Sequence, residues 1–172
     1  IIKVINKGSQ NFFFFFLLKT IGLEKLGLGS VVNGVAAAKE VFIDIGLNPD
    51  NIIMVDGSGL SYLNMVTPRQ IVDLLKYIYS NKKVYADFYN SLPIAGVDGT
   101  LGKRMKNTTA ENVVRGKTGY ISYVRSLSGY AVTGDNEPIA FSMIANNFSV
   151  PVKLAENIQD LVCLRLTKFR RK

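Results

Sequence analysis

Hydrophobic positions recur with a helical period through the first half of the chain, and the pattern changes in the last third. Residues 12–18 form one unbroken run of seven apolar side chains. With Ser9 as a plausible N-cap, they predict a buried helix running to about Ile21 and closed by Gly22. Val31, Val35, Ala38, Phe42 and Ile45 follow the 3.6-residue spacing and predict a second helix over 30–45, ended by Gly46. Pro49-Asp50 then makes a turn, and the apolar stretch 51–55 predicts a short strand or extended segment. Thr67-Pro68-Arg69-Gln70 is a strong helix start: Thr67 caps, Pro68 takes the first helical position and Gln70 completes a capping box. Ile71, Leu74, Leu75 and Ile78 form its apolar stripe, and a shorter helix is expected over 85–91, before Pro93. Residues 94–111 are Gly-rich and polar and read as mostly loop.

From Asn112 the pattern changes. Residues 113–121, 124–133 and 139–147 read as three strands, with Gly134-Asp135-Asn136-Glu137-Pro138 as the hairpin loop between the last two. Apolar residues fall on both faces, Leu127 and Ala131 against Tyr130 and Val132, so both faces are expected to be covered. A closing helix over 151–166 should turn Leu154, Ile158, Leu161 and Val162 inward. Helices, a loop, antiparallel strands and a terminal helix make an α+β fold, an antiparallel sheet packed with helices.

Composition narrows the chemistry. The 172 residues contain no His and one Cys, which excludes Ser-His-Asp catalysis, Cys-cluster or His metal sites and an intrachain disulfide. No metal or cofactor is expected. A formal charge of +8 favours anionic partners, but the basic residues are scattered except for the tail Lys168-Phe169-Arg170-Arg171-Lys172. No nucleic-acid motif surrounds them, so nucleic acid is not an expected partner. The apolar run at 12–18 is too short to cross a membrane, Lys19 ends it, and no small-x-small cleavage site follows. It therefore reads as neither a transmembrane segment nor a signal peptide. A chain beginning at Ile1 is expected to be processed, truncated or a fragment.

Two places carry candidate chemistry. The first is the loop Asp56-Gly57-Ser58-Gly59-Leu60-Ser61-Tyr62-Leu63-Asn64, which holds hydroxyls and backbone amides at the end of an element. The second is Lys117-Thr118-Gly119 on a strand. Without His, a hydroxyl nucleophile needs another base, and Lys is the usual substitute. On a strand, Lys117 and Thr118 are read as a clamp for a carboxylate in one cleft, with Gly119 leaving room for substrate to approach.

Taken together with Val66-Thr67-Pro68, with Leu92-Pro93-Ile94-Ala95-Gly96-Val97-Asp98-Gly99-Thr100-Leu101 and with Val124-Arg125-Ser126-Leu127-Ser128-Gly129-Tyr130, these stretches give the chain a family likeness. It resembles the penicillin-binding D-alanyl-D-alanine carboxypeptidases of the low-molecular-mass class C type over roughly residues 9–167. The resemblance implies a single partial domain over 1–172, the C-terminal part of a penicillin-binding, β-lactamase-like transpeptidase domain. Such enzymes use three motifs: Ser-x-x-Lys, Ser-x-Asn and Lys-Thr-Gly. The resemblance assigns Ser61 and Asn64 to the second, one residue longer than its usual spacing, and Lys117, Thr118 and Gly119 to the third. It gives Ser61 a proton-passing role and Asn64 an orienting one. Lys117 and Thr118 would hold the substrate carboxylate, and the Tyr120 N–H would supply half of an oxyanion hole.

The first motif is missing in its expected place. The one Ser-x-x-Lys, Ser80-Asn81-Lys82-Lys83, follows the Ser61 loop and sits at a polar helix end, the wrong order for this family. The chain thus looks like a fragment without its nucleophile, inactive alone, from an exported enzyme of the periplasm or cell envelope. By resemblance the full enzyme hydrolyses peptidoglycan peptides ending in D-Ala-D-Ala, with possible endopeptidase action, and is acylated by β-lactams. The alternative is a non-catalytic envelope-binding module that keeps the substrate cleft.

Overall fold

A computed structural model describes residues 1–171. The helices are α1 (Ile2–Gly8), α2 (Asn11–Leu26), α3 (Val31–Asp44), α4 (Pro68–Ser80), α5 (Tyr85–Ser91) and α6 (Val152–Lys168). The strands β1 (Arg115–Ile121), β2 (Val124–Val132) and β3 (Pro138–Asn146) lie between α5 and α6. This is the expected α+β order of helices, antiparallel strands and terminal helix. The chain read as one partial domain forms two compact units, Gln10–Tyr77 and a second made of Ile1–Ser9 with the chain from Ile78 onward.

In the Gln10–Tyr77 unit, α2 packs on α3 through small residues. A Cβ on Gly22 would come within 2.6 Å of the Gly34 backbone N, and one on Gly34 would collide with the Leu18 carbonyl. Gly22 therefore does not close α2, as its sequence position suggests. It lies buried inside the helix, which runs on to Leu26 and stops at Gly27 in the left-handed conformation. The apolar run is not buried either: Phe12, Phe13 and Phe16 are exposed. Ser30 caps α3 by accepting from the Asn33 N–H at 3.0 Å. The stretch 51–55, expected as a strand or extended segment, carries an isolated bridge between Ile53 and Met65. The start of α4 is the capping box read from the sequence. The Gln70 side chain accepts from the Thr67 N–H at 2.7 Å, and the Thr67 hydroxyl accepts from the Gln70 N–H at 3.3 Å.

In the other unit the three strands form an antiparallel sheet in the order β1-β2-β3. Arg125, Leu127, Gly129 and Ala131 are buried at every second position of β2, facing α6 and the 95–114 segment. That segment is irregular, as expected, yet Ala95, Leu101, Met105, Ala110 and Val114 from it build the core with Leu127, Phe141 and Cys163. The opposite face is covered less fully than the sequence suggests. Val124, Ser126, Ser128 and Val132 are half-buried, and only Tyr130 is sealed there, among Tyr79, Tyr85 and Tyr89.

Helix α6 is rotated from the sequence expectation. Its buried stripe is Ala155, Gln159, Cys163 and Thr167, at strict i, i+4 spacing, whereas Leu154, Ile158, Leu161 and Val162 are exposed. Burial pushes the Cys163 thiol up to about 12, so it stays protonated and inert.

Helix α1 is absent from the sequence reading, being only seven residues long. Asn6 donates to the Ser91 hydroxyl at 2.7 Å, and Lys7 reaches both Asp98 carboxylate oxygens at 2.7 Å. The Asp98 carboxylate also accepts from the Ile94 N–H at 2.9 Å. Gly99, with φ 58°, lets this turn approach α1, since a Cβ there would meet the Lys7 carbonyl at 2.9 Å.

Candidate active site

Lys117 lies in β1 opposite Ser128 and is half-buried. Its Nζ donates to the Ser9 hydroxyl at 2.6 Å and to the Thr118 carbonyl at 2.8 Å. Burial disfavours the ammonium and lowers its pKa from 10.5 to about 8.

Ser9 is the residue the sequence reading missed as a site residue. It is not the N-cap of α2; Gln10 holds that position. Ser9 terminates α1 in the left-handed conformation, φ 50°, with its N–H bonded back to the Ile5 carbonyl. A non-Gly residue in that region is held there by its surroundings. Here those are the Asn6 and Lys7 anchors of α1 and the Lys117 ammonium. The signal was in the sequence: Ser9-Gln10-Asn11 has the Ser-x-Asn spacing without the extra residue that Ser61 and Asn64 require.

Thr118 and Lys117 face opposite sides of β1, because successive strand side chains alternate. Thr118 shares a face with Leu127 and donates to the Thr100 hydroxyl at 2.8 Å. The two side chains therefore stand on opposite faces of β1. They flank the edge of a strand that pairs with β2 on one side only. The Gly116 N–H points away from β2, to the Pro93 carbonyl at 3.0 Å. With period two, the Thr118 and Tyr120 N–H groups also face that edge. An extended ligand lying along it would find Lys117 on one side, Thr118 on the other and the Tyr120 N–H between them.

A Cβ on Gly119 would collide with the Ser126 hydroxyl of the neighbouring strand, so a side chain there would force that serine to turn away. Tyr120 is exposed, and the Arg125 guanidinium lies 3.3 Å from its ring centre.

Ser61 and Asn64 belong to the Gln10–Tyr77 unit, where Asp56 organises a tight loop. Its carboxylate accepts from the Gly59 N–H at 2.7 Å, the Ser61 N–H at 3.1 Å, the Asn64 side chain at 3.0 Å and the Ser58 hydroxyl at 3.2 Å. Partial burial pushes Asp56 up, but these four hydrogen bonds outweigh it and hold the carboxyl below its ordinary value. Asn64 also accepts from the Val55 N–H at 2.8 Å, and the Ser61 hydroxyl accepts from the Leu63 N–H at 3.2 Å. Both side chains thus have structural employment inside the loop. Ser80, the last residue of α4, and Lys83 are exposed.

Comparison with known proteins gives one consistent result. The model of the D-Ala-D-Ala carboxypeptidase 3 (S13) family matches residues 1–168. The chain is 39% identical over 169 residues to a D-alanyl-D-alanine carboxypeptidase of an Actinomadura species, covering 95% of this chain and 30% of that protein. It is 35% identical over 120 residues to a D-alanyl-D-alanine carboxypeptidase of Haemophilus influenzae, covering 67% of this chain and 24% of that one. The crystal structure of Haemophilus influenzae penicillin binding protein 4 in complex with a β-lactam superposes with a TM-score of 0.89 at 29% identity, over 98% of this chain and 41% of that one. A predatory endopeptidase of Bdellovibrio bacteriovorus shares the fold at 18% identity and a TM-score of 0.76. The chain thus spans less than half the length of each of these relatives.

Proposed function

Because this chain belongs to the D-Ala-D-Ala carboxypeptidase 3 (S13) family, we propose that it is the substrate-holding part of a serine-type D-Ala-D-Ala carboxypeptidase. The enzyme would act on peptidoglycan stem peptides in the periplasm or cell envelope and be acylated by β-lactams. The acylated serine and its partner lysine would lie in the polypeptide that the longer relatives carry outside this stretch.

The single observation that carries the reading is the 2.6 Å contact between Lys117 Nζ and Ser9 Oγ. It joins the Lys-Thr-Gly strand to a Ser-x-Asn through side chains more than 100 residues apart. Ser9 takes the proton-passing role that the sequence reading gives Ser61. Ser61 and Asn64 then serve the Asp56 loop. During acylation, the attacking serine's proton passes by way of Ser9 to the leaving amine of the terminal D-Ala. The Lys117 ammonium polarises the Ser9 hydroxyl and attracts the substrate's terminal carboxylate. Thr118 flanks the same edge, and the Tyr120 N–H donates to the developing oxyanion, a contact whose loss typically costs about 3 to 4 kcal/mol of barrier.

A non-catalytic envelope-binding module would keep the β1 edge and Lys117 but would have no use for a proton relay. The test joins this chain to the rest of its polypeptide and measures D-Ala release from a pentapeptide ending in D-Ala-D-Ala, alongside labelling by a fluorescent penicillin. Both activities are expected. Peptide binding without release or labelling would replace the enzyme with the binding module.

A further inference from the structure

Tyr120, whose N–H faces the free edge of β1, is held through its side chain. Its register partner on β2 is Arg125. Gly116 turns its N–H away from β2, to the Pro93 carbonyl, so by the period of two the Tyr120 N–H and C=O also point outward. Tyr120 and Arg125 are therefore a pair without ladder hydrogen bonds between them, the kind in which side chains stand closest. The turn that follows, Ser122-Tyr123, has Tyr123 in the left-handed region at φ 59°, where a bulky residue must be held by its surroundings. Arg125 supplies the hold. It is 7% exposed, whereas Tyr120 is 65% exposed. Its guanidinium lies 3.3 Å from the centre of the Tyr120 ring. Its Nη1 donates to the Val124 carbonyl at 3.0 Å and to the Ile121 carbonyl at 3.2 Å, one on each side of the turn. Its Nε lies 3.7 Å from Glu156 Oε1 on α6. Glu156 is itself anchored, since Arg104 donates to its carbonyl at 3.2 Å and to the Asp160 carboxylate at 2.7 Å. A pocket of about 210 Å³ beside the ring is lined by Thr100, Arg104, Thr118 and Glu156 as well, so the ring rests on a cation and not on a packed apolar wall.

We propose that Arg125 is a positioning residue for acylation. Pinned to α6 by Glu156, it holds the Tyr120 ring and the β1–β2 turn so that the Tyr120 N–H stays aimed at the developing oxyanion. The inference rests on the serine-type enzyme reading above and adds a residue to it. A donor on a strand edge with no neighbouring strand has little backbone support, and a misplacement of about 1 Å can cost about 10²-fold in rate. Arg125 itself touches none of the reacting atoms, and the substrate carboxylate belongs to Lys117. The competing role is a buried ion pair that serves the fold alone. Breaking such a pair costs stability but leaves the chemistry of the folded enzyme as it was.

The test uses the complete enzyme, this chain joined to the rest of its polypeptide, with a chromogenic β-lactam in single-turnover kinetics that separate initial binding from acylation. Arg125→Met and Tyr120→Leu should each slow acylation by about tenfold or more, toward the 10² to 10³ typical of removing an oxyanion donor, and leave initial binding within about twofold. Arg125→Lys keeps the cation and Tyr120→Phe keeps the ring, so each should lose less than its partner variant. If Arg125→Met does not fold, Arg125→Met/Glu156→Gln removes both charges together. Tyr120→Leu needs no such rescue, since exposed substitutions rarely disturb the fold. The second readout is the infrared carbonyl stretch of the penicillin acyl-enzyme. A carbonyl polarised by the Tyr120 N–H absorbs at lower wavenumber, so the slowed variants should shift that band upward. Acylation at the wild-type rate in the folded variants, with or without a lowered melting temperature, overturns the proposal. So does a slowed variant whose band is unshifted, or a loss that falls on initial binding in place of acylation. A wild-type enzyme that is never acylated removes the enzyme reading and this inference with it, whereas an acylated wild type with unaffected variants removes this inference alone.

Discussion

At the scale of single residues, the site turns on Lys117 and Ser9. Lys117 is charged below about pH 8 and neutral above it. In the complete enzyme, kcat/KM reports the free enzyme, so it should hold steady up to about pH 8 and then fall toward tenfold per pH unit as the ammonium is lost. A profile flat to pH 10 would remove the ammonium from carboxylate binding. Stability runs the other way. The unfolded lysine, near 10.5, binds a proton that the folded one releases between about pH 8 and 10.5, so the fold should gain stability across that window. Lys117→Ala should lower kcat/KM by at least about tenfold, since a hydrogen bond to a charged group contributes roughly 1.5 to 3 kcal/mol. Unchanged kinetics in Lys117→Ala would refute its assignment. Lys117-Thr118-Gly119 was legible as a motif because its chemistry resides in residue types. Ser9 was hidden by the same logic, because a serine before an apolar run reads as a helix cap, and its left-handed backbone leaves no trace in the sequence.

At the scale of elements, the capping box of α4 was legible and helix facing was not. The Thr67–Gln70 box is local, so four residues decide it. The α6 stripe was read correctly as apolar and wrongly as inward, because a pattern records that a face will be covered, not by what. Gly22 shows the same limit: a glycine can end a helix or admit a neighbouring one, and only the position of Gly34 decides. Gly34→Ala should therefore destabilise the chain by about 1 to 3 kcal/mol through overpacking against Leu18, measured by urea denaturation. An unchanged midpoint would mean the α2–α3 contact relaxes freely. The Asp56 loop gives a second test. Its carboxyl is held below the ordinary 3.8, so its contribution is complete above that pH and lost as pH falls through the lowered value. Amide exchange at Gly59 and Ser61 should accelerate in that acid range and already at neutral pH in Asp56→Ala. Equal exchange in the variant would show that the loop does not depend on this carboxylate.

At the scale of the whole molecule, the chain carries the groups proposed to bind substrate and pass a proton, and its one Ser-x-x-Lys lies at the exposed end of α4. The isolated chain should therefore take no label from a fluorescent penicillin, and a labelled band that vanishes in Ser80→Ala would reverse that conclusion. The most direct test of the account compares Ser9→Ala with Ser61→Ala in the complete enzyme, by the rate of acylation with a chromogenic β-lactam. Removing a group that moves a proton in the transition state typically lowers the rate by about 10² to 10⁴. The account predicts a loss of that size in Ser9→Ala and a rate within about twofold of wild type in Ser61→Ala, whose hydroxyl is worth only a loop hydrogen bond, roughly 0.5 to 1.5 kcal/mol of stability. A large loss in Ser61→Ala with Ser9→Ala near wild type would contradict it.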